Sequence, residues 1–358
     1  MSGANGWGML PRSMEQALEK YTTGMQIITE GARAETGQTP KEVIWTRNKA
    51  KLYHYEPTIE KRYRVPILLV YALINRPYVL DLMPGNSLVE YLVGQGFDVY
   101  MLDWGIPGDE DKDLTFEEYV LDYIPRALAK VKRAAHADEF SLLGYCMGGT
   151  MTAMYAALFP DAGIKNLLLL TAPIDFTPDN VGLYGLWTSE KYLNPDRIVD
   201  AFGNVPGDFI DTGNRMLKPV TNYVGTYATM WDRIMQDKSM DTWLAMNKWV
   251  NDGIPFPGAT FRQWIREFYQ QNKLVKGEIQ LRGRRVDLSD IRCAVLNIAG
   301  KKDHICTLPQ AEATMRLISS RDSEFFVLDA GHVGLLTGSE AKKQLWPKVR
   351  DWLSKRSD

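Results

Sequence analysis

Cys146 stands in the run Gly144, Tyr145, Cys146, Met147, Gly148, Gly149. A thiol attacks as its thiolate, so a working cysteine needs a proton acceptor and a local positive field. Glycine, any residue, cysteine, any residue, glycine is the cysteine form of the nucleophile elbow, a sharp strand-to-helix turn that lifts a nucleophile above a sheet edge. Apolar residues lead into Gly144 and resume after Gly149, as strand, turn and helix would require. The plainer reading is a structural thiol, because free cysteine is among the most buried residue types. A core cysteine would not need Gly144 and Gly148, which suit a tight turn with close backbone approach. At a helix N-terminus beside a histidine, the thiolate is favoured.

The chain has four histidines, so a base can be sought by elimination. His54 falls in an early strand and His136 at the end of a helix near Lys132 and Arg133, where each is solvated or satisfied locally. His304 follows Asp303 directly and could line a site. His332 lies in the loop Ala330, Gly331, His332, Val333, Gly334, just past the last expected strand. Asp303, just past the strand before that, is preferred as the acid over Asp329, which lies three residues before His332 and is read as steadying its loop. Nucleophile, acid, histidine is the chain order of the α/β-hydrolase triad and differs from that of chymotrypsin-like and subtilisin-like enzymes. In that fold one oxyanion N–H comes from the residue after the nucleophile, here Met147. The other comes from the loop after a central strand, here near Ala72 or Leu73. Asp303 could orient His332 or act as base on a substrate hydroxyl. Cys293 and Cys306 have no glycine frame and are not read as second nucleophiles.

The pattern predicts strands over 52–55, 65–71, 97–102, 165–171, 293–299 and 325–328, alternating with helices over 87–93, 116–135 and 341–355. Pro125 is expected to kink the second of these helices. Thr39, Pro40 and Glu42 have the form of a capping box with proline at the first helical position, which predicts a helix start there. Alternation of this kind implies an α/β-hydrolase fold, a mostly parallel central sheet with helices on both faces. Its core is expected to span 39–172 and 290–358. Between them, 173–289 is rich in aromatics, Gly and Pro, and reads as an inserted cap that shields the site, the alternative being a helical subdomain that only packs. Within 1–38, residues Met14, Leu18, Tyr21, Met25 and Ile28 form an apolar stripe at helical spacing over 11–33. That stripe packs on its own domain or docks another subunit.

With 358 residues, 45% hydrophobic and 24% charged, the chain has the totals of a globular enzyme. A net charge of -2 with no long Lys/Arg run disfavours nucleic acid as a partner. Three scattered cysteines fit neither a disulfide framework nor a zinc site, so no metal is expected and a reducing cytoplasm is the simpler setting. No signal peptide and no apolar run long enough to span a bilayer is visible, which leaves adsorption to a hydrophobic surface open.

The box Gly144 to Gly149, with YALINRPYVLDL at 71–82, Asp103-Trp104-Gly105, Asp303-His304 and Gly331-His332, resembles the catalytic subunit of polyhydroxyalkanoate synthases from about Thr39 onward. The stretches TPKEVIW, NSLVEYL, DGIPF and RQWIREFYQQNKL look like the class IV enzymes of bacilli, with class III as the near alternative. The resemblance implies that a short-chain (R)-3-hydroxyacyl-coenzyme A is polymerised to polyester. Cys146 would carry the acyl group, His332 would activate the thiol and Asp303 would assist the 3-hydroxyl of the next unit. Met147 with Leu73 or Ala72 would hold the oxyanion, and Tyr145 and His304 would line the site. Coenzyme A would be the leaving group and no cofactor is needed. A homodimer, a separate small subunit (PhaR-type, or PhaE-type in class III) and association with polymer granules in the cytoplasm are further implications. On the same core, a cysteine-dependent thioesterase or dienelactone-type hydrolase is the alternative. A granule-coating scaffold with a degenerate site is the alternative from another class.

Overall fold

The computed structural model describes residues 12–31, 33–60 and 63–358. Eight strands form the main sheet: β1 (Lys41–Arg47), β2 (Ala50–Tyr55), β3 (Ile67–Val70), β4 (Val99–Asp103), β5 (Phe140–Tyr145), β6 (Ile164–Leu170), β7 (Ala294–Gly300) and β8 (Ser323–Leu328). Their order is β1-β2-β4-β3-β5-β6-β7-β8, with β1, β2 and β4 paired antiparallel and all later pairs parallel. Every residue of β3, β4 and β5 is buried, which is why these strands read as continuous apolar runs rather than alternating ones.

The expected helix at 39–42 is not formed. Lys41–Arg47 is strand β1, paired with β2 from Lys41 opposite Tyr55 to Arg47 opposite Ala50. The Thr39 hydroxyl donates to Asp81 instead of capping a helix. The Val, Ile and Trp of KEVIWTR suit a pleated surface, and pairing with β2 overrides the local capping signal.

Helix α1 is Arg12–Glu30; on the faces of the sheet lie α2 (Leu88–Gly94), α3 (Ile124–Ala135) and α4 (Met147–Leu158). Ser87 caps α2, its Oγ accepting the Glu90 N–H at 2.9 Å. The helical run from Phe116 passes Pro125 without ending, through a π-turn at Tyr119–Tyr123 in which the Ile124 N–H reaches back to the Tyr119 carbonyl. That wider turn accommodates a proline that cannot supply the usual bond.

Between β6 and β7 the chain adds no strand to the main sheet. It forms α5 (Pro195–Phe202), α6 (Gly207–Met216), α7 (Thr226–Met235), α8 (Asp241–Val250) and a further helical run, Gly258–Gln263 continuing as a π-turn at Trp264–Gln270. Phe176, Trp264, Phe268 and Tyr269 pack ring against ring at its base, with Phe116 of the core against Trp264 and Phe268. The small hairpin Gln280–Leu281 and Arg284–Arg285 leads back to the core.

Helix α1 meets α7 through Gly24, whose Cβ-free face lies on Trp231, through the Tyr21–Trp231 ring pair at 6.0 Å and through a Lys20–Asp237 ion pair at 2.8 Å. Its apolar stripe is not buried on its own domain: Met14, Leu18, Tyr21, Met25 and Ile28 are 37 to 57% exposed.

Candidate active site

Cys146 sits between the last residue of β5 and the first of α4 with φ 55° and ψ −127°. A non-glycine residue holds such a backbone only where its surroundings dictate it. Those surroundings are tight. A Cβ on Gly144 would run into Thr152 and Gly149, and one on Gly148 would run into the Val70 and Tyr71 backbone. The Cys146 N–H donates to the Leu170 carbonyl at 2.9 Å, and the Cys146 carbonyl accepts the Gly149 N–H at 2.8 Å, starting the helix. The glycine frame therefore lets the turn press against β3 and aims the thiol over the sheet edge.

The loops after β7 and β8 bring the other two candidates to it. Asp303 Oδ2 accepts from His332 Nδ1 at 2.7 Å, and the same ring lies beside the Cys146 side chain, with which it lines one cavity. Burial opposes a charge on His332, but the Asp303 carboxylate and Cys146 outweigh it and push the imidazole pKa up to about 10. Burial likewise disfavours ionised Asp303, yet His332, the Thr171 hydroxyl and the Cys306 N–H hold its carboxyl below the ordinary value. Asp303 is 5% exposed. Its Oδ1 accepts the N–H groups of Ile305 (2.8 Å) and Cys306 (3.0 Å), and its Oδ2 accepts Thr171 Oγ1 (2.5 Å) and His332. Asp329 is exposed and pairs with Lys302 at 2.8 Å, tying the histidine loop to the acid loop.

Two chambers meet at Cys146. One, of about 430 Å³, is lined by Ala72, Tyr145, His332 and a polar set that includes Asn75, Arg215 and Asn247. The other, of about 690 Å³, is lined by Met147 and by aromatic residues of the insert, among them Tyr184, Trp187, Trp264 and Tyr269. Ile74, Cys146, Asn214 and Ile305 border both. Asn214 accepts a hydrogen bond from the Tyr184 hydroxyl, which fixes it at this junction. Asn214, Ile74 and Ile305 carry no local sequence signal, because long-range folding alone sets them side by side.

Of the remaining candidates, Tyr145 stacks on Tyr71 with ring centres 5.3 Å apart and donates from its hydroxyl to the His332 carbonyl at 3.1 Å. Trp104 Nε1 donates to the Tyr71 carbonyl at 2.9 Å. In a planar trans peptide this turns the Ala72 N–H the opposite way. Ala72 lines a chamber, whereas Leu73 is buried and borders neither. His304 is exposed and also borders neither, so it does not stand with Asp303 in the site. His54 is satisfied locally, with Nε2 2.9 Å from Asp98 Oδ1 and its ring stacked on Tyr100.

Comparison with known proteins places the chain. A model of the alpha/beta hydrolase fold matches residues 65–339, and a model of the poly-beta-hydroxybutyrate polymerase (PhaC) N-terminus matches residues 4–92. A poly(3-hydroxyalkanoate) polymerase subunit PhaC from Haloferax mediterranei is 42% identical over 97% of this chain and 71% of its own length. The protein of the same name from Allochromatium vinosum is 35% identical over 97% of both chains. Among solved structures, an esterase from Exiguobacterium antarcticum (TM-score 0.51, 14% identity, 85% of this chain and 96% of that one) shares the fold. So does a monoacylglycerol lipase from Paleococcus ferrophilus (TM-score 0.50, 17% identity, 84% and 97%). The chain belongs to the poly(3-hydroxyalkanoate) polymerase PhaC family, built on the α/β-hydrolase fold.

Proposed function

We propose that this protein polymerises short-chain (R)-3-hydroxyacyl-coenzyme A into polyhydroxyalkanoate with release of coenzyme A, through an acyl thioester on Cys146. The observation that carries the reading is the contact of Cys146, His332 and Asp303 at the junction of two chambers, in a chain of this family. The Cys146 sulfur attacks the substrate thioester carbonyl. The N–H groups of Met147 and Ala72 meet the charge that develops on its oxygen. Collapse expels the coenzyme A thiolate, which takes a proton from His332. Thioester exchange keeps the acyl group activated for a second attack. His332, now neutral, takes the proton of the incoming 3-hydroxyl as that oxygen bonds the acyl carbon and the Cys146 sulfur leaves.

Asp303 acts through His332 rather than on the hydroxyl in this scheme. Its two oxygens already accept four protein donors and it borders neither chamber, so a substrate hydroxyl has no path to it. The first chamber, with Asn75, Arg215 and Asn247 in its wall, suits the amide-bearing arm of coenzyme A. The aromatic chamber suits the apolar acyl chain and excludes the water that would turn polymerisation into hydrolysis. Coenzyme A leaves with each turnover, and the scheme calls for no cofactor. The exposed α1 stripe is the surface we assign to a further contact, with a second copy, a small subunit or the polymer granule.

Incubation with (R)-3-hydroxybutyryl-coenzyme A tests the reading. Turbid polyester with coenzyme A release is the expected result. Stoichiometric free 3-hydroxybutyrate would instead make the protein a thioesterase. Addition of candidate small subunits should raise the rate, and full activity of the lone chain without a lag would remove the partner from the account.

A further inference from the structure

Thr171, just past the end of β6, has a φ of 47°. In the left-handed region a β-branched side chain is a genuine outlier, and glycine is the occupant that costs least. The residue is fully buried. Its N–H donates to the Ile298 carbonyl of β7 at 2.7 Å, so its backbone is pinned by the neighbouring strand. Its hydroxyl donates at 2.5 Å to Asp303 Oδ2, the same oxygen that accepts His332 Nδ1. Strained conformations persist where the surrounding structure over-determines them, and they cluster at active sites. The hydroxyl is what glycine could not supply at this position.

We propose that Thr171 is a positioning residue for the reaction, its hydroxyl fixing the rotation of the Asp303 carboxylate so that Oδ2 stays on His332 Nδ1 through the catalytic cycle. This rests on the reading of Cys146 and His332 as the reacting pair. The Ile305 and Cys306 N–H groups both hold Oδ1 and leave the carboxylate free to tilt about that end. Thr171 approaches the other oxygen from β6, while His332 approaches from the loop after β8. With both ends held, the acid cannot follow the imidazole when the ring swings toward the thiol or the incoming hydroxyl, and the ring is kept in one orientation.

The Thr171 bond is also among the influences that hold the Asp303 carboxyl below its ordinary value against burial, after the charge and bond of His332. Losing it raises the acid's pKa and moves the acid limb of the pH–rate profile upward. The other titratable groups that feel Asp303 are His332, Cys306, Tyr145 and His304; of these Cys306 also feels the Thr171 hydroxyl, but burial already holds its thiol well above the ordinary value and losing that bond only raises it further, away from the acid limb.

The test uses the full chain, with coenzyme A release from (R)-3-hydroxybutyryl-coenzyme A followed against pH and melting temperature measured alongside. Thr171→Ser keeps the hydroxyl and is expected within about threefold of the parent kcat with the same acid limb. Thr171→Val and Thr171→Gly are expected to lose about tenfold or more in kcat with KM within about twofold, and to shift the acid limb upward. Thr171→Gly should do so with an unchanged or higher melting temperature, because glycine relieves the left-handed backbone. A parent-like kcat and acid limb in the valine or glycine variant would overturn the inference. Should both fail to fold, Thr171→Ala carries the same test with no side-chain donor, and a parent-like profile in it is equally decisive. Cys146→Ala separates this inference from the reading beneath it. Full activity there would remove the nucleophile assignment, and the Thr171 inference would then stand or fall on the His332 Nδ1 proton resonance. That resonance shifts in the hydroxyl-free variants if the inference is right and stays in place if it is wrong.

Discussion

At His332 two opposing effects meet: burial, which favours the neutral ring, and the adjacent Asp303 and Cys146, which favour the charged one and win. A folded-state pKa raised above the ordinary value of 6.5 to about 10 contributes stability that is complete below pH 6.5 and is lost as pH rises through about 10. NMR titration of the ring should find it protonated at neutral pH. Asp303→Asn should move that titration to lower pH and cut kcat by about a hundredfold or more. An unchanged titration in the variant would deny Asp303 its role. These three residues were legible because each rests on a local rule: a glycine frame for Cys146, and the position just past a strand for Asp303 and His332. Thr171 and Asn214 were not legible, since their significance lies in what folding from elsewhere brings beside them. His304 shows the converse, a neighbour of Asp303 in sequence that points out to solvent.

At the scale of elements, the site depends on how closely the start of α4 approaches the end of β3. Gly148→Ala would place a methyl group against the Val70 and Tyr71 backbone. It should cost about 1–3 kcal/mol in urea unfolding, with activity reduced because the Met147 and Ala72 amides move apart. The base of the insert hangs on Asp175, which accepts from the Thr177 hydroxyl (2.7 Å) and Asn272 Nδ2 (3.0 Å) and pairs with Arg316. Burial raises its pKa, but the Thr177, Asn272 and Arg316 bonds outweigh this and hold it at about 2. A depressed carboxyl contributes stability above its ordinary value that fades as pH falls through about 2. Asp175→Asn should therefore lower the melting temperature at pH 7 and match the parent near pH 2; an equal deficit at both would point to packing instead. Strands β3 to β7 were readable as apolar runs because both of their faces are covered. β1 was misread because Thr39, Pro40 and Glu42 satisfy a helix-start pattern locally, while what makes Lys41–Arg47 a strand is pairing with β2, which lies further along the chain at Ala50–Tyr55.

Across the whole molecule, core and insert share the walls of two chambers that meet at Cys146, which gives the two ends of a thioester substrate separate spaces to occupy. The aromatic chamber is the barrier to water in this account. Trp264→Ala and Tyr269→Ala, which open it, should raise the ratio of free 3-hydroxybutyrate to polymer; a constant ratio would place water exclusion elsewhere. The α1 stripe is exposed in the single chain, and if it is the contact surface proposed above, its substitution by polar residues should leave single-turnover acylation unchanged while affecting assembly. The whole scheme rests on Cys146 as the carrier of the growing chain. Its most direct test is mass spectrometry of the protein quenched shortly after exposure to (R)-3-hydroxybutyryl-coenzyme A. The predicted result is a ladder of 3-hydroxybutyryl additions on the peptide containing Cys146, released by hydroxylamine and absent in Cys146→Ala. A ladder on another residue, or one that persists in Cys146→Ala, would contradict it.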